Sequence, residues 1–127
     1  FMAAMGVFKH PDVYAAAVDR AGPTDWQNYD TIYTERYMST PQLNPDGYKM
    51  GAAMTHVKNL KGKILIMHGM VDDNVHPNNA FQLIEALDRA GLSYESRFWP
   101  NGGHGLGRGV DATQDEFFKR TLQPEAK

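Results

Sequence analysis

Asp72 and His104 are the residues in this chain whose types and settings most readily suggest chemistry. Asp72 lies in the string His68-Gly69-Met70-Val71-Asp72-Asp73-Asn74-Val75-His76, and His104 lies in Asn101-Gly102-Gly103-His104-Gly105. An imidazole acts as a general base when one ring nitrogen faces the group to be deprotonated and an acceptor holds the other. A carboxylate is a suitable acceptor, because it fixes the tautomer and stabilises the imidazolium that forms. Glycines around His104 let the backbone turn sharply and carry the ring into a crowded place. A purely structural role is open to both residues, with Asp72 capping the next helix and His104 sitting in a turn. His68, Asp72 and His76 could also be drawn as a metal site, a weaker reading of the same residues.

The elements around these strings supply a way to bring them together. Lys63-Ile64-Leu65-Ile66-Met67-His68 is a continuous apolar run of the kind found in a strand buried on both faces, and Gly69 ends it. Pro77 suits a helix start, Ala80, Leu83, Ile84, Leu87 and Ala90 recur at helical spacing, and Gly91 is a natural stop. Tyr94 to Trp99 reads as the next strand. Asn101 to Gly109 is too glycine-rich for anything but a loop, and a helix over 111–122 should put Phe117, Phe118 and Leu122 on one side. Strand–loop–helix–strand–loop–helix implies parallel strands, and in open parallel sheets functional residues collect beyond the carboxyl ends of the strands. The interval from Asp72 to His104 is about one helix plus one strand, so both could reach the same end of the sheet. Upstream, residues 2–9 read as a helix closed by Pro11, and Val13 to Val18 as a further buried strand. Residues 21–60 read as loops and short helices. The fold class is α/β, with three mostly parallel strands and flanking helices.

Composition bounds what such a chain can be. Its 127 residues are 42% hydrophobic and 22% charged, enough for one domain with a core and ordinary for a globular protein. A formal net charge of −2 gives no electrostatic reason to expect nucleic acid as a partner. No apolar run approaches the roughly 18 residues of a membrane span. Without cysteine, disulfides, thiolate catalysis and Cys-based metal sites are excluded, and the compartment is left open. No cofactor is suggested: Gly105-x-Gly107-x-Gly109 only superficially resembles a phosphate loop, and no later strand completes a dinucleotide-binding unit.

Three motifs carry a resemblance over nearly the whole chain. Trp26-Gln27-Asn28-Tyr29-Asp30-Thr31-Ile32-Tyr33-Thr34-Glu35-Arg36-Tyr37-Met38, then His68-Gly69 with Asp72-Asp73-Asn74-Val75-His76, then His104-Gly105, closely resemble the dipeptidyl peptidase IV branch of the prolyl oligopeptidase family. The resemblance implies the C-terminal part of an α/β-hydrolase catalytic domain, in which Asp72 and His104 are the acid and base of a Ser–Asp–His triad. It also implies that Trp26, Tyr29, Tyr33 and Val75 line the pocket for the residue before the scissile bond, typically Pro or Ala. Asn74 would hydrogen-bond a substrate carbonyl. The activity implied is release of N-terminal dipeptides from a peptide substrate, with an endopeptidase or acylaminoacyl peptidase of the same family, or a non-catalytic truncated α/β module, as alternatives. Taken without the motif, Trp26, Tyr29 and Tyr33 have the spacing of a core stripe on a helix. Glu35 and Arg36 read as a structural ion pair, Asp73 as a helix-start carboxylate, and His68 as making a turn hydrogen bond.

An acyl-transfer hydrolase of this fold needs Gly-x-Ser-x-Gly on a tight strand-to-helix turn. The serines here, Ser39, Ser93 and Ser96, have no such setting. In the resembled family that turn is followed by a helix like residues 1–9, so the nucleophile is expected just before Phe1. On this reading residues 1–127 are a C-terminal fragment lacking the nucleophile turn and the propeller domain. The expected partners are then the missing N-terminal part of the same protein or another copy of the chain. The fragment alone is expected to be inactive, and marginally stable or self-associated because its first strand offers an open edge.

Overall fold

A computed structural model describes residues 1–123 of the chain. Three strands, β1 (Ala16–Arg20), β2 (Lys63–Gly69) and β3 (Glu95–Trp99), form one parallel sheet in the order β1-β2-β3. The helices are α1 (Met2–Lys9), α2 (Thr31–Met38), α3 (Pro45–Gly51), α4 (Asn78–Arg89) and α5 (Val110–Leu122), with 3₁₀ segments at Trp26–Asn28 and Ala53–Asn59. Residues 64–69 of β2 are buried throughout, which is what a central strand covered on both faces requires. Ile64 and Ile66 face a core shared with Val7 and Phe8 of α1 and Leu83 and Leu87 of α4, while Leu65 and Met67 face Val110 and Phe117 of α5. Among the described residues β1 pairs only with β2, so the open edge expected for the first strand is present there.

Several local expectations need correction. The first strand runs over Ala16–Arg20 and not Val13–Val18, with Val13 and Tyr14 exposed in the turn after α1. Ala16 stands opposite Lys63, so the register with β2 shifts the strand toward Asp19 and Arg20. Leu122 is half exposed whereas Phe117 is buried, since five residues along a helix turn it well away from the core-facing stripe. Asp73 is not a helix-start carboxylate, because α4 begins at Asn78 with Pro77 as its cap. Among the described residues Glu35 and Arg36 form no ion pair; adjacent helical positions do not face each other, and Arg36 lies over the Tyr37 ring.

Parallel pairing brings the carboxyl ends of β2 and β3 level, with Gly69 opposite Trp99. The loops leaving these two residues are then stitched by main-chain bonds, Met70 N–H to Trp99 O at 2.9 Å and Val71 N–H to Gly102 O at 3.0 Å. The approach is so close that a Cβ at Gly69 would stand 2.2 Å from the Gly103 carbonyl oxygen. Only glycine fits there.

Candidate active site

The loop after β2 is shaped by Asp72 itself. One carboxylate oxygen, Oδ1, accepts the main-chain N–H groups of Asn74 and Val75, both at 2.9 Å, in an aspartate-centred turn. The other, Oδ2, lies 3.0 Å from Nδ1 of His104. An ionised carboxylate can only accept, so Nδ1 carries the proton and Nε2 is left free to take one. Burial alone would push the Asp72 carboxyl up. The His104 hydrogen bond, the Val75 and Asn74 amides and the charge of His104 outweigh burial and hold the group below the usual carboxylate range. The Asp72 side chain is fully buried, while that of His104 is 49% exposed, which leaves the imidazole accessible from one side.

His104 opens onto a cleft of about 360 Å³ whose other walls include Phe1, Ala21, Trp26, Tyr29, Tyr33 and Val75. A larger groove of about 770 Å³ between α1, β1 and α5 holds neither Asp72 nor His104. The aromatic rings of the smaller cleft pack on one another. Trp26 meets Tyr29 edge-on at 6.0 Å and stacks on Tyr33 at 5.9 Å, and Tyr29 meets Tyr33 edge-on at 5.7 Å. They do not form a core stripe: Trp26 sits on the 3₁₀ segment, Tyr29 follows it, and Tyr33 is a half-exposed residue of α2. The Tyr29 hydroxyl donates to Asn74 Oδ1 at 3.0 Å, joining the aromatic wall to the Asp72 loop. All seven residues singled out in the sequence therefore fall within one region: Asp72 and His104 as a hydrogen-bonded pair, Trp26, Tyr29, Tyr33 and Val75 as cleft walls, and Asn74 bonded to both Tyr29 and Asp72.

What holds the aromatic segment in place was not anticipated. Asn79, wholly buried in the first turn of α4, accepts the Thr24 N–H at 3.0 Å and takes the Thr24 hydroxyl on its own carbonyl at 2.7 Å. Asn28 adds a side-chain bond to Gln82 at 2.7 Å. Arg20 and Pro23 also line the cleft. No spacing in the sequence signals these contacts, which depend on how the chain returns from β1 to α4. The three residues drawn as a possible metal site do not form one: His68 Nε2 lies 3.3 Å from Asp72 Oδ2, but His76 Nδ1 instead accepts the Asn78 N–H at 3.1 Å, and among the described residues no group of three His, Asp or Glu side chains is arranged to hold a metal ion.

Comparison with known proteins matches this arrangement to one family. The sequence pattern of the prolyl oligopeptidase family matches residues 1–125. A "Probable dipeptidyl-aminopeptidase B" of Neurospora crassa is 48% identical over 96 residues, covering 73% of this chain and 10% of the relative. A protein of the same description from Colletotrichum graminicola is also 48% identical over 96 residues, with the same shares covered. The crystal structure of Porphyromonas gingivalis dipeptidyl peptidase 4 superposes with a TM-score of 0.83 at 32% identity, covering 94% of this chain and 17% of that one. The α/β-hydrolase architecture expected from the sequence is thus the one observed, and the chain spans about a tenth of the length of the curated relatives it matches.

Proposed function

The chain belongs to the prolyl oligopeptidase family, and from that premise we propose that it is part of a serine peptidase that releases N-terminal dipeptides from peptides with Pro or Ala in second position. The observation that carries the reading is the 3.0 Å bond between Asp72 and His104, made between two strand-end loops at the mouth of an aromatic cleft. In this mechanism His104 Nε2 takes the proton of a serine hydroxyl as the oxygen attacks the scissile carbonyl, then returns it to the leaving amine. Asp72 keeps the imidazole in the required tautomer and balances its transient charge. The nucleophile belongs on a turn leading into α1, because Phe1 at the start of that helix and His104 line the same cleft. The faces of Trp26, Tyr29 and Tyr33 suit the flat, donor-free ring of proline, and Asn74 supplies a polar group for the peptide's register.

The test uses the intact protein that carries this sequence. It should hydrolyse a Gly-Pro reporter faster than an N-blocked one and react with a fluorophosphonate, whereas the 127-residue chain alone should not be labelled. His104→Ala and Asp72→Asn should each lower kcat by about 10³-fold or more. Undiminished turnover in either variant refutes the assignment.

A further inference from the structure

Asp72 has a second histidine neighbour. His68 occupies the next inward position on β2 after Ile64 and Ile66, a place where an aliphatic side chain would continue the row, yet it is an imidazole only 1% exposed. Its Nε2 lies 2.7 Å from the main-chain oxygen of Val75 and 3.3 Å from Asp72 Oδ2. A carbonyl oxygen only accepts, so Nε2 carries a proton and donates it to Val75 O. That proton points at Val75 O with Oδ2 on its flank, the same oxygen that receives His104. Val75 in turn gives its N–H to Oδ1 of Asp72 and lines the aromatic cleft. The turn is therefore held from both sides: Asp72 grips the amides ahead of it, and His68 grips the carbonyl that follows.

We propose that His68 is a positioning residue of this site: its buried Nε2–H ties the Val75 carbonyl to the Asp72 carboxylate, so that Oδ2 meets His104 in one orientation and the Val75 wall keeps its place. Its kinetic consequence rests on the peptidase reading above. The role needs a donor at the position of Nε2, not a charge. Glutamine can place an amide N–H close to that point, while leucine fills the space without a donor.

The experiment compares His68→Gln and His68→Leu in the intact protein, by steady-state kinetics on a Gly-Pro reporter and by crystal structures of the variants. The Leu variant should lose about 10–100-fold in kcat with little change in KM, as expected when the reacting groups are misplaced by a fraction of an ångström. Its Asp72 Oδ2 to His104 Nδ1 separation should exceed about 3.5 Å. The Gln variant should keep kcat within about threefold of the parent and the separation near 3.0 Å. Equal kcat and an unchanged separation in the Leu variant overturn the proposal. If the Leu variant does not fold, the Gln variant decides: retained kcat supports the role, and a folded Gln protein with the Leu-sized loss overturns it. Should the intact protein turn over no acyl substrate, the peptidase reading falls, and the separations in the variant structures still test the positioning role by itself.

Discussion

Replacing Gly69 with alanine tests whether the two loops must touch to form the site. A Cβ at this position would lie 2.2 Å from the Gly103 oxygen and 2.3 Å from the Gly102 oxygen, both in the main chain of the His104 loop. Main-chain oxygens cannot swing aside as the end of a flexible side chain can. Relieving these contacts to the 3.0 Å that real Cβ atoms respect requires the loops to part by about 0.8 Å. Added to the 3.0 Å between Asp72 and His104, such a movement takes the pair to about 3.8 Å, beyond hydrogen-bonding distance. A misplacement near 1 Å costs about 10²-fold in rate, or about 2.7 kcal/mol of transition-state stabilisation. Overpacking should also lower stability by about 1–3 kcal/mol. The assay is kcat/KM of the intact protein on a Gly-Pro reporter, at a temperature where circular dichroism shows the variant folded. Gly103→Ala is the internal control, because a Cβ there meets nothing within 4 Å. If folded Gly69→Ala protein matches that control within about threefold, loop contact does not set the geometry of the pair and the reasoning fails.

Other measurements probe separate parts of the same structure. Because the Asp72 carboxyl is held below its ordinary value of 3.8, its ionised form stabilises the fold fully above that value and the contribution is lost as pH falls through the lower folded value. Denaturant titrations across the acid range should therefore show a shallower loss of stability for Asp72→Asn than for the parent, and parallel curves would contradict the assignment. Tyr29→Phe removes an exposed hydroxyl bond to Asn74 worth about 0.5–1 kcal/mol. It should raise KM about two- to fivefold with kcat nearly unchanged, so a fall confined to kcat would place Tyr29 elsewhere in the mechanism. Asn79→Ala removes the side-chain acceptor of the buried Thr24 N–H while leaving the Thr24 hydroxyl on the main-chain oxygen of residue 79, and should destabilise by about 1–3 kcal/mol. Its kinetic effect should fall mainly on KM, and thermal melting with parallel kinetics will show whether the two losses travel together.

How much could be read in advance follows from how local each feature is. β2 was legible because a strand buried on both faces must be apolar at every position, and Lys63–Gly69 is nearly so. α4 was legible because its stripe of Ala80, Leu83 and Leu87 meets the core directly. β1 was misplaced because its boundaries are set by pairing with β2, which overrides the apolarity of Val13 and Tyr14 and draws in Asp19 and Arg20. The aromatic residues show the same limit. Their spacing fits a helix face, yet the chain divides them between a 3₁₀ turn and α2 and leaves Tyr33 half exposed.

The two halves of the site consequently rest on different physics. Asp72 and His104 meet because neighbouring parallel strands end level, with α4 filling the sequence between them, and any chain with this topology brings the two loops into contact. The aromatic wall has no such guarantee. It reaches the cleft through Thr24, whose bonds to Asn79 fasten the segment after β1 to the start of α4, and through Tyr29, whose hydroxyl reaches Asn74 on the Asp72 loop. The Asp72–His104 pair is therefore the part that topology protects. The aromatic walls hang on a few buried and exposed hydrogen bonds, so under the proposed function substitutions at Thr24, Asn79 or Asn74 should reshape selectivity while leaving the Asp72–His104 geometry in place.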